Sequence, residues 1–220
     1  MITPTIAPPF PLVWGFTTKL DDESILPPER LRQVHGTAIH EASDTLPEGD
    51  GLWTEQPGCR IGVRTADCVP ILLAGSTATG PWAAALHAGW RSAVGGQGNG
   101  AAPGILRRAI DLFHNRGGEP GKLAWALGPS IQKCHFEVGE EVIEAARRDP
   151  AWDESLRKPG PRGRPHLDLQ GFLRRQAWDL GLDPERDGSV NLCTMCETEL
   201  LWSYRRDDME GHQWGWVELL

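Results

Sequence analysis

The chain has few lysines and no long hydrophobic run. Among its 220 residues Lys occurs only at positions 19, 122, 133 and 158, and the formal net charge is -8. The basic face that nucleic acid or an anionic membrane surface requires is therefore not expected. No stretch of eighteen apolar residues occurs, so no membrane-spanning helix is expected either. The first twenty residues hold four prolines and no basic segment ahead of an apolar one. A secretory signal is thus not expected, and a cytoplasmic location is. Internal repeats and separating linkers are absent, which leaves one domain over residues 1–220, with Pro-rich residues 1–12 as an extended arm. The Gly-rich stretch from Gly95 to Gly104 lacks the Lys-Ser/Thr of a phosphate-binding P-loop and reads as a mobile surface loop.

Against these absences stand five cysteines, ten tryptophans and many arginines. An odd number of cysteines without an export signal reads as thiols, free to bind metal or act as nucleophiles. The tryptophans are scattered and read as core or pocket wall. Isolated arginines suit an anion pocket, because the guanidinium fork matches phosphate and carboxylate.

Short apolar runs predict strands at Trp14 to Thr18, Leu52 to Thr54, Arg60 to Val63, Val69 to Ala74, Trp82 to Leu86, Trp125 to Leu127, Trp202 to Tyr204 and Trp214 to Leu219. Several are too apolar for edge strands and read as central strands covered on both faces. Helical spacing predicts helices from Ile105 to Phe113, Glu137 to Arg148 and Leu169 to Leu180. The alternation reads as α/β or α+β around one mixed sheet, of which α+β is the fold class expected.

Three strings carry the chemistry: Gln33-Val34-His35-Gly36, Thr65-Ala66-Asp67-Cys68 and His87-Ala88-Gly89-Trp90-Arg91. Each lies where a strand could end and beside a small residue. Gly36 is expected to let the chain turn tightly and expose His35. Together His35, Cys68 and His87 offer one zinc ion two imidazoles and a thiol with one position open, the pattern of a catalytic site. Their wide separation makes spacing alone an incomplete argument, and His40, His114 and His166 read as ordinary surface or core residues. Cys193-Thr194-Met195-Cys196 has CxxC spacing but no second pair nearby in sequence, and reads as structural.

The succession QVHG at 33–36, DGLWT at 50–54, VRTADCVPILL at 63–73, HAGWR at 87–91, GPSIQKCHFEVGEEV at 128–142, LDL at 167–169 and SYRRD at 203–207 resembles the YfiH-like laccase-domain family. Proteins of that family, long called polyphenol oxidases, are described as purine nucleoside phosphorylases with adenosine deaminase activity. The resemblance implies zinc on His35, Cys68 and His87. It implies purine nucleoside and phosphate as partners, and a single-domain mixed-sheet αββα-type sandwich similar to the catalytic domain of cytotoxic necrotizing factor toxins. The chain departs from the pattern where Lys19 replaces Arg, where the segment normally following it is missing, and where His212 stands for another Arg.

Deamination would use the metal to lower a water's pKa from about 16 toward 7, with a carboxylate to shuttle protons. Asp67 is the acidic residue inside the three strings and the candidate for that role. Phosphorolysis needs cations around phosphate and the departing purine. Arg91 and Arg64 are assigned to catalysis, and Gln33, Lys19, Arg205, Arg206 and His212 to substrate binding. A cysteine hydrolase or amidase using Cys68 and His87 is the alternative, and a peptidoglycan-editing role another. A copper phenol oxidase is disfavoured, because seven histidines, most outside the motifs, do not furnish a multicopper site. The oligomeric state is left open.

Overall fold

The computed structural model describes residues 1–96, 102–207 and 210–220. Residues 97–101 of the Gly-rich stretch lie outside that set.

Among the described residues ten strands follow in chain order: β1 (Leu12–Phe16), β2 (Ile39–Glu41), β3 (Gly51–Thr54), β4 (Arg60–Thr65), β5 (Val69–Thr77), β6 (Gly80–Ala88), β7 (Ala124–Leu127), β8 (Arg157–Pro159), β9 (Pro165–Leu167) and β10 (Gln213–Leu219). The helices are α1 (Trp90–Val94), α2 (Ile105–Asn115), α3 (Glu140–Ala146), α4 (Leu169–Asp179) and α5 (Tyr204–Asp207). Five strands form one sheet in the order β2-β3-β6-β5-β7, three form a second in the order β1-β10-β4, and β8 and β9 make a hairpin. Among the described strands β2 and β3 pair in parallel, and the other ladders are antiparallel.

Strands β5 and β6 are central and buried on both faces, and their side chains divide by parity. Val69, Ile71 and Leu73 with Trp82, Ala84 and Leu86 pack against α2 and α4 through Ile105, Phe113, Phe172 and Leu173. Leu72, Ala74, Ala83 and Ala85 face the small sheet, meeting Phe16, Ile61, Val63 and Val217. The alanine run Ala83 to Ala85 in β6 supplies one small residue after another to both interfaces, where larger side chains of neighbouring layers fill the space. The stack is therefore helices, large sheet, small sheet. A fourth, helical layer is not found among the described residues: Met1 lies against Gly15 and Pro27 against Gly62 on the outer face of the small sheet. The αββα expectation holds in three of its four layers.

Three local expectations are corrected. Strand β4 is the edge of the small sheet, not a central strand. The side-chain amide of Gln33 takes the place of a missing neighbour there, donating to Arg64 O at 2.8 Å and accepting from Arg64 N at 2.8 Å. Residues Trp202 to Tyr204 are not a strand; Gln213 pairs its amide with Trp202 N and O in the same manner, and Tyr204 opens α5. Helix α3 starts at Glu140 rather than Glu137, because Glu137 bridges to His166 and Val138 N donates to Pro165 O, which commits that backbone to an extended pairing.

Candidate metal centre

The large sheet gathers the three strings at one end. Cys68 immediately precedes β5, and His87 is the next-to-last residue of its antiparallel partner β6, where Pro70 faces His87 across the ladder. His35 arrives from the loop ahead of β2. Its φ of 57° and that of Asp67, 87°, place both non-glycine residues in the left-handed region, a strained conformation that clusters at functional sites. Gly36 has no such φ, so the tight turn is carried by His35 itself.

One ligand atom from each of His35, Cys68 and His87 lies within 4.8 Å of the others. The imidazole rings meet edge to face with centroids 4.7 Å apart. His87 is buried, Cys68 partly so, and His35 is exposed, so the group opens to solvent on the His35 side. Gly89 keeps that mouth clear: a Cβ there would stand 3.2 Å from both Cys68 Sγ and His35 Cδ2.

Asp50 organises the group. It is fully buried, and burial of a carboxylate is tolerated only when it is fully hydrogen-bonded. Its Oδ1 accepts from His35 N at 2.9 Å and pairs with His87 Nδ1 at 2.7 Å; its Oδ2 accepts from Gly36 N at 2.5 Å and Val34 N at 3.3 Å. Backbone locks the same pair of elements, as His87 N donates to Asp50 O at 2.7 Å. One carboxylate thus fixes the loop that carries His35 and, by occupying Nδ1, directs Nε2 of His87 toward Cys68. A carboxylate behind a ligating histidine is a recurring support of metal sites. In the sequence Asp50 is the middle of Gly49-Asp50-Gly51, a turn signal, and opens the DGLWT string, and neither place marks it as the carboxylate behind His87. The missed signal is its place directly ahead of an apolar strand.

The electrostatics follow from these contacts. Burial opposes ionisation of Cys68, but the His87 charge and hydrogen bonds from His35 and His87 outweigh it and bring the thiol down to about 6. Burial likewise opposes charging of His87, and the Cys68 thiolate with the Asp50 hydrogen bond overcomes it, raising His87 to about 9. Asp50 is held below the usual carboxylate range because the His87 and backbone hydrogen bonds prevail over its desolvation. Without a metal the three form a thiolate–imidazolium–carboxylate chain. With one, the thiolate and two ring nitrogens are a fitting donor set.

The other sequence candidates divide into two groups. The polar atoms of Asp67 are committed to the fold: Oδ1 accepts from Thr194 Oγ1 at 2.5 Å, Oδ2 from Arg205 N at 2.9 Å, and its carbonyl from Ile131 N at 2.9 Å. Gln33 is spent on Arg64. Arg206 donates to Thr194 O and Leu201 O, each at 2.6 Å, and pairs with Asp207. The second group keeps more freedom. Arg91, exposed on α1, stacks over Trp90 at 4.6 Å. Arg64 pairs with Glu29 and lies 5.8 Å over Trp214. Lys19 stands 4.3 Å over Trp202 and donates to Thr198 O, and Arg205 donates to Glu137 O. His212 meets Trp214 edge to face, and burial together with the Arg64 charge lowers its pKa.

A mixed α/β sandwich with an open centre of two imidazoles and a thiol is the class that fold and site define. The chain belongs to the family described as multi-copper polyphenol oxidoreductase laccase, which matches residues 18–220. It is similar to a purine nucleoside phosphorylase of Deinococcus radiodurans, 36% identical over 193 residues that cover 86% of this chain and 69% of that protein. An adenosine deaminase from an unknown prokaryotic organism is 34% identical over 180 residues, covering 81% of this chain and 63% of that one. In fold, it is similar to the crystal structure of YfiH from Bacillus licheniformis, with a TM-score of 0.82 over 95% of this chain and 93% of that chain at 22% identity. No helix among the described residues is long and apolar enough to cross a membrane.

Proposed function

We propose that the chain is a zinc-dependent purine nucleoside phosphorylase, acting on adenosine, inosine or methylthioadenosine, with adenosine deaminase activity. The observation that carries this reading is the convergence of His35, Cys68 and His87 on one point, with Asp50 fixing the ring orientation of His87. Relatives named as phosphorylase and deaminase support it. Zinc held by two neutral imidazoles and a thiolate, with a position open, supplies a Lewis acid that polarises a bound oxygen.

The chain's own residues divide the remaining work. Asp50 orients His87 and carries the loop of His35. Arg91, next to the centre on α1, is read as the first cation for phosphate and for charge developing on the departing purine, with Arg64 and Arg205 in support. Lys19 and His212 are read as outer substrate contacts, weaker than the arginines they replace, because Lys lacks the bidentate fork and His titrates. Asp67, Gln33 and Arg206 are read as scaffold, because their polar atoms are already satisfied.

The test is incubation of the purified chain with adenosine and with inosine, with and without phosphate, reading ribose-1-phosphate, hypoxanthine and ammonia. Phosphate-dependent ribose-1-phosphate supports the phosphorylase; ammonia from adenosine without phosphate supports the deaminase. No product under any condition rejects the reading.

One observation favours a second reading. Cys68, His87 and Asp50 stand in the order nucleophile, base and orienting acid, the arrangement of a cysteine hydrolase and the one the toxin analogy suggests. Metal analysis separates the two. One zinc fewer per chain in Cys68→Ala than in wild type supports the metalloenzyme. Copper in its place favours the oxidase chemistry of the family's description. An unchanged zinc content in Cys68→Ala, with activity lost on alkylation of Cys68, supports the hydrolase.

A further inference from the structure

A second cluster of cysteine and histidine side chains is distinct from the first. Cys134 and His135 follow β7 and the Gly128-Pro129-Ser130 segment, and Cys193 and Cys196 come from a turn nearly sixty residues later. The fold brings these together by a parallel bridge between Ser130 and Cys193, closed by Ser130 N to Leu192 O and Thr194 N to Ser130 O, each at 3.1 Å. Cys134 Sγ is then 3.6 Å from Cys193 Sγ and 3.9 Å from Cys196 Sγ. His135 Nδ1 is 3.2 Å from Cys134 Sγ, 3.8 Å from Cys193 Sγ and 3.5 Å from Cys196 Sγ.

These spacings fit a tetrahedral metal site. A tetrahedral zinc with bonds of about 2.3 Å to sulfur and about 2.0 Å to nitrogen holds its ligand atoms about 3.8 Å apart for two sulfurs and about 3.5 Å for sulfur and nitrogen. The five measured separations scatter around those values. A disulfide would require about 2.05 Å between two sulfurs, and no sulfur pair in the group approaches it; all five cysteines are free.

The surroundings suit a complex of net charge near -1. Gln132 N points at Cys193 Sγ from 3.5 Å. Arg205 donates to the carbonyls of His135 and Glu137, and Arg206 to those of Thr194 and Met195. Two guanidinium groups therefore stand against the backbone that carries the ligands.

We infer that Cys134, His135, Cys193 and Cys196 form a second, closed zinc site with a structural role, separate from the open centre at His35, Cys68 and His87. Four protein ligands leave no position for substrate, as in structural Cys₃His sites. The ion ties the turn at 193–196 to the segment after β7, and Thr194 of that turn hydrogen-bonds Asp67, the left-handed residue directly before Cys68. The closed site thus holds in place the turn that presents the thiol of the open one.

The inference does not depend on the proposed activity, and its test keeps the two sites apart. Zinc is measured in the full chain purified with zinc present, beside Cys68→Ala, Cys196→Ser and Cys134→Ser. The expected result is two zinc ions per wild-type chain and one in each variant, with Cys196→Ser and Cys134→Ser melting several degrees lower. A thiol titration of the unaltered chain removes any dependence on the folding of variants. Cys134 and Cys196, though exposed, should resist a thiol reagent until a chelator is added and react afterwards. One zinc ion, lost in Cys68→Ala and retained in Cys196→Ser, overturns the inference. So do immediate reaction of the exposed thiols in excess zinc, or a mass that shows a disulfide within the group.

Discussion

Replacement of Asp50 by Asn tests the logic of the open centre most directly. The carboxylate accepts four hydrogen bonds in a fully buried position, two on each oxygen. Asn keeps the shape and offers only one accepting oxygen. If that oxygen faces His87 and His35 N, the amide NH₂ opposes the N–H groups of Gly36 and Val34. If it is flipped, the NH₂ opposes His35 N and accepts no proton from His87 Nδ1, which forces the other tautomer and removes the free Nε2 from the ligand set. Each orientation strands at least one buried N–H, costing about 1–3 kcal/mol, and a charge-assisted bond worth about 1.5–3 kcal/mol is lost. A destabilisation of about 3 kcal/mol follows, which in a domain of this size lowers the melting temperature by roughly 6–12 °C. Zinc affinity at the open centre should fall by about 10- to 100-fold, the usual cost of losing a histidine's supporting carboxylate. Competition against a chromophoric chelator gives the affinity and calorimetry the melting temperature. If Asp50→Asn bound zinc within twofold of wild type and melted within a degree of it, the claim that this carboxylate organises the site would be wrong.

Other perturbations probe separate parts of the argument. Gly89→Ala places a methyl 3.2 Å from Cys68 Sγ and His35 Cδ2 while leaving an ordinary backbone φ of -75°; metal affinity should drop about tenfold with little change in urea midpoint, and a large stability loss with unchanged affinity would reverse the assignment. In metal-free protein the alkylation rate of Cys68 should rise through pH 6, following its lowered pKa, rather than through pH 8 to 9 as an ordinary thiol does. Gly128→Ala drives a Cβ to 2.4 Å from the Phe16 ring and 2.7 Å from Pro70; overpacking of about 1–3 kcal/mol is expected, and a neutral urea midpoint would count against the tight approach of β7 to the small sheet. Glu55 is held down at about 2 by the Arg116 guanidinium. Its folded pKa lies below the unfolded value of 4.5, so its stabilisation is present above pH 4.5 and lost as pH falls through about 2. With Arg116 about a third exposed, screening reduces this to about 1 kcal/mol. Glu55→Gln should lower stability at pH 7 and converge on wild type in acid; a difference independent of pH is the contrary result.

Sequence by itself determined the strands and helices whose patterns arise locally. The apolar runs of β5 and β6, the helical spacing of α2 and α4, and the three strings with His35, Cys68 and His87 are legible because burial and chemistry there depend on residue type. Edges and caps were not legible. The apolar run of β4 cannot show that one side lacks a strand, since Gln33, 31 residues before Arg64, fills that side with its amide. The start of α3 was set by the partners of Glu137 and Val138 in the β9 region rather than by helical spacing.

Only the tertiary structure decided which polar residues serve the site. Asp67 adjoins the thiol in sequence, yet its oxygens bind Thr194 and Arg205. Asp50, which reads as part of a turn, supplies the carboxylate on His87. The CxxC at 193–196 lacked a second pair in sequence until the Ser130–Cys193 bridge delivered Cys134 and His135. The physical reason is common to all three. Which donor meets which acceptor depends on strand register and loop closure, contacts between residues far apart in the chain, whereas periodicity and composition record only what near neighbours impose.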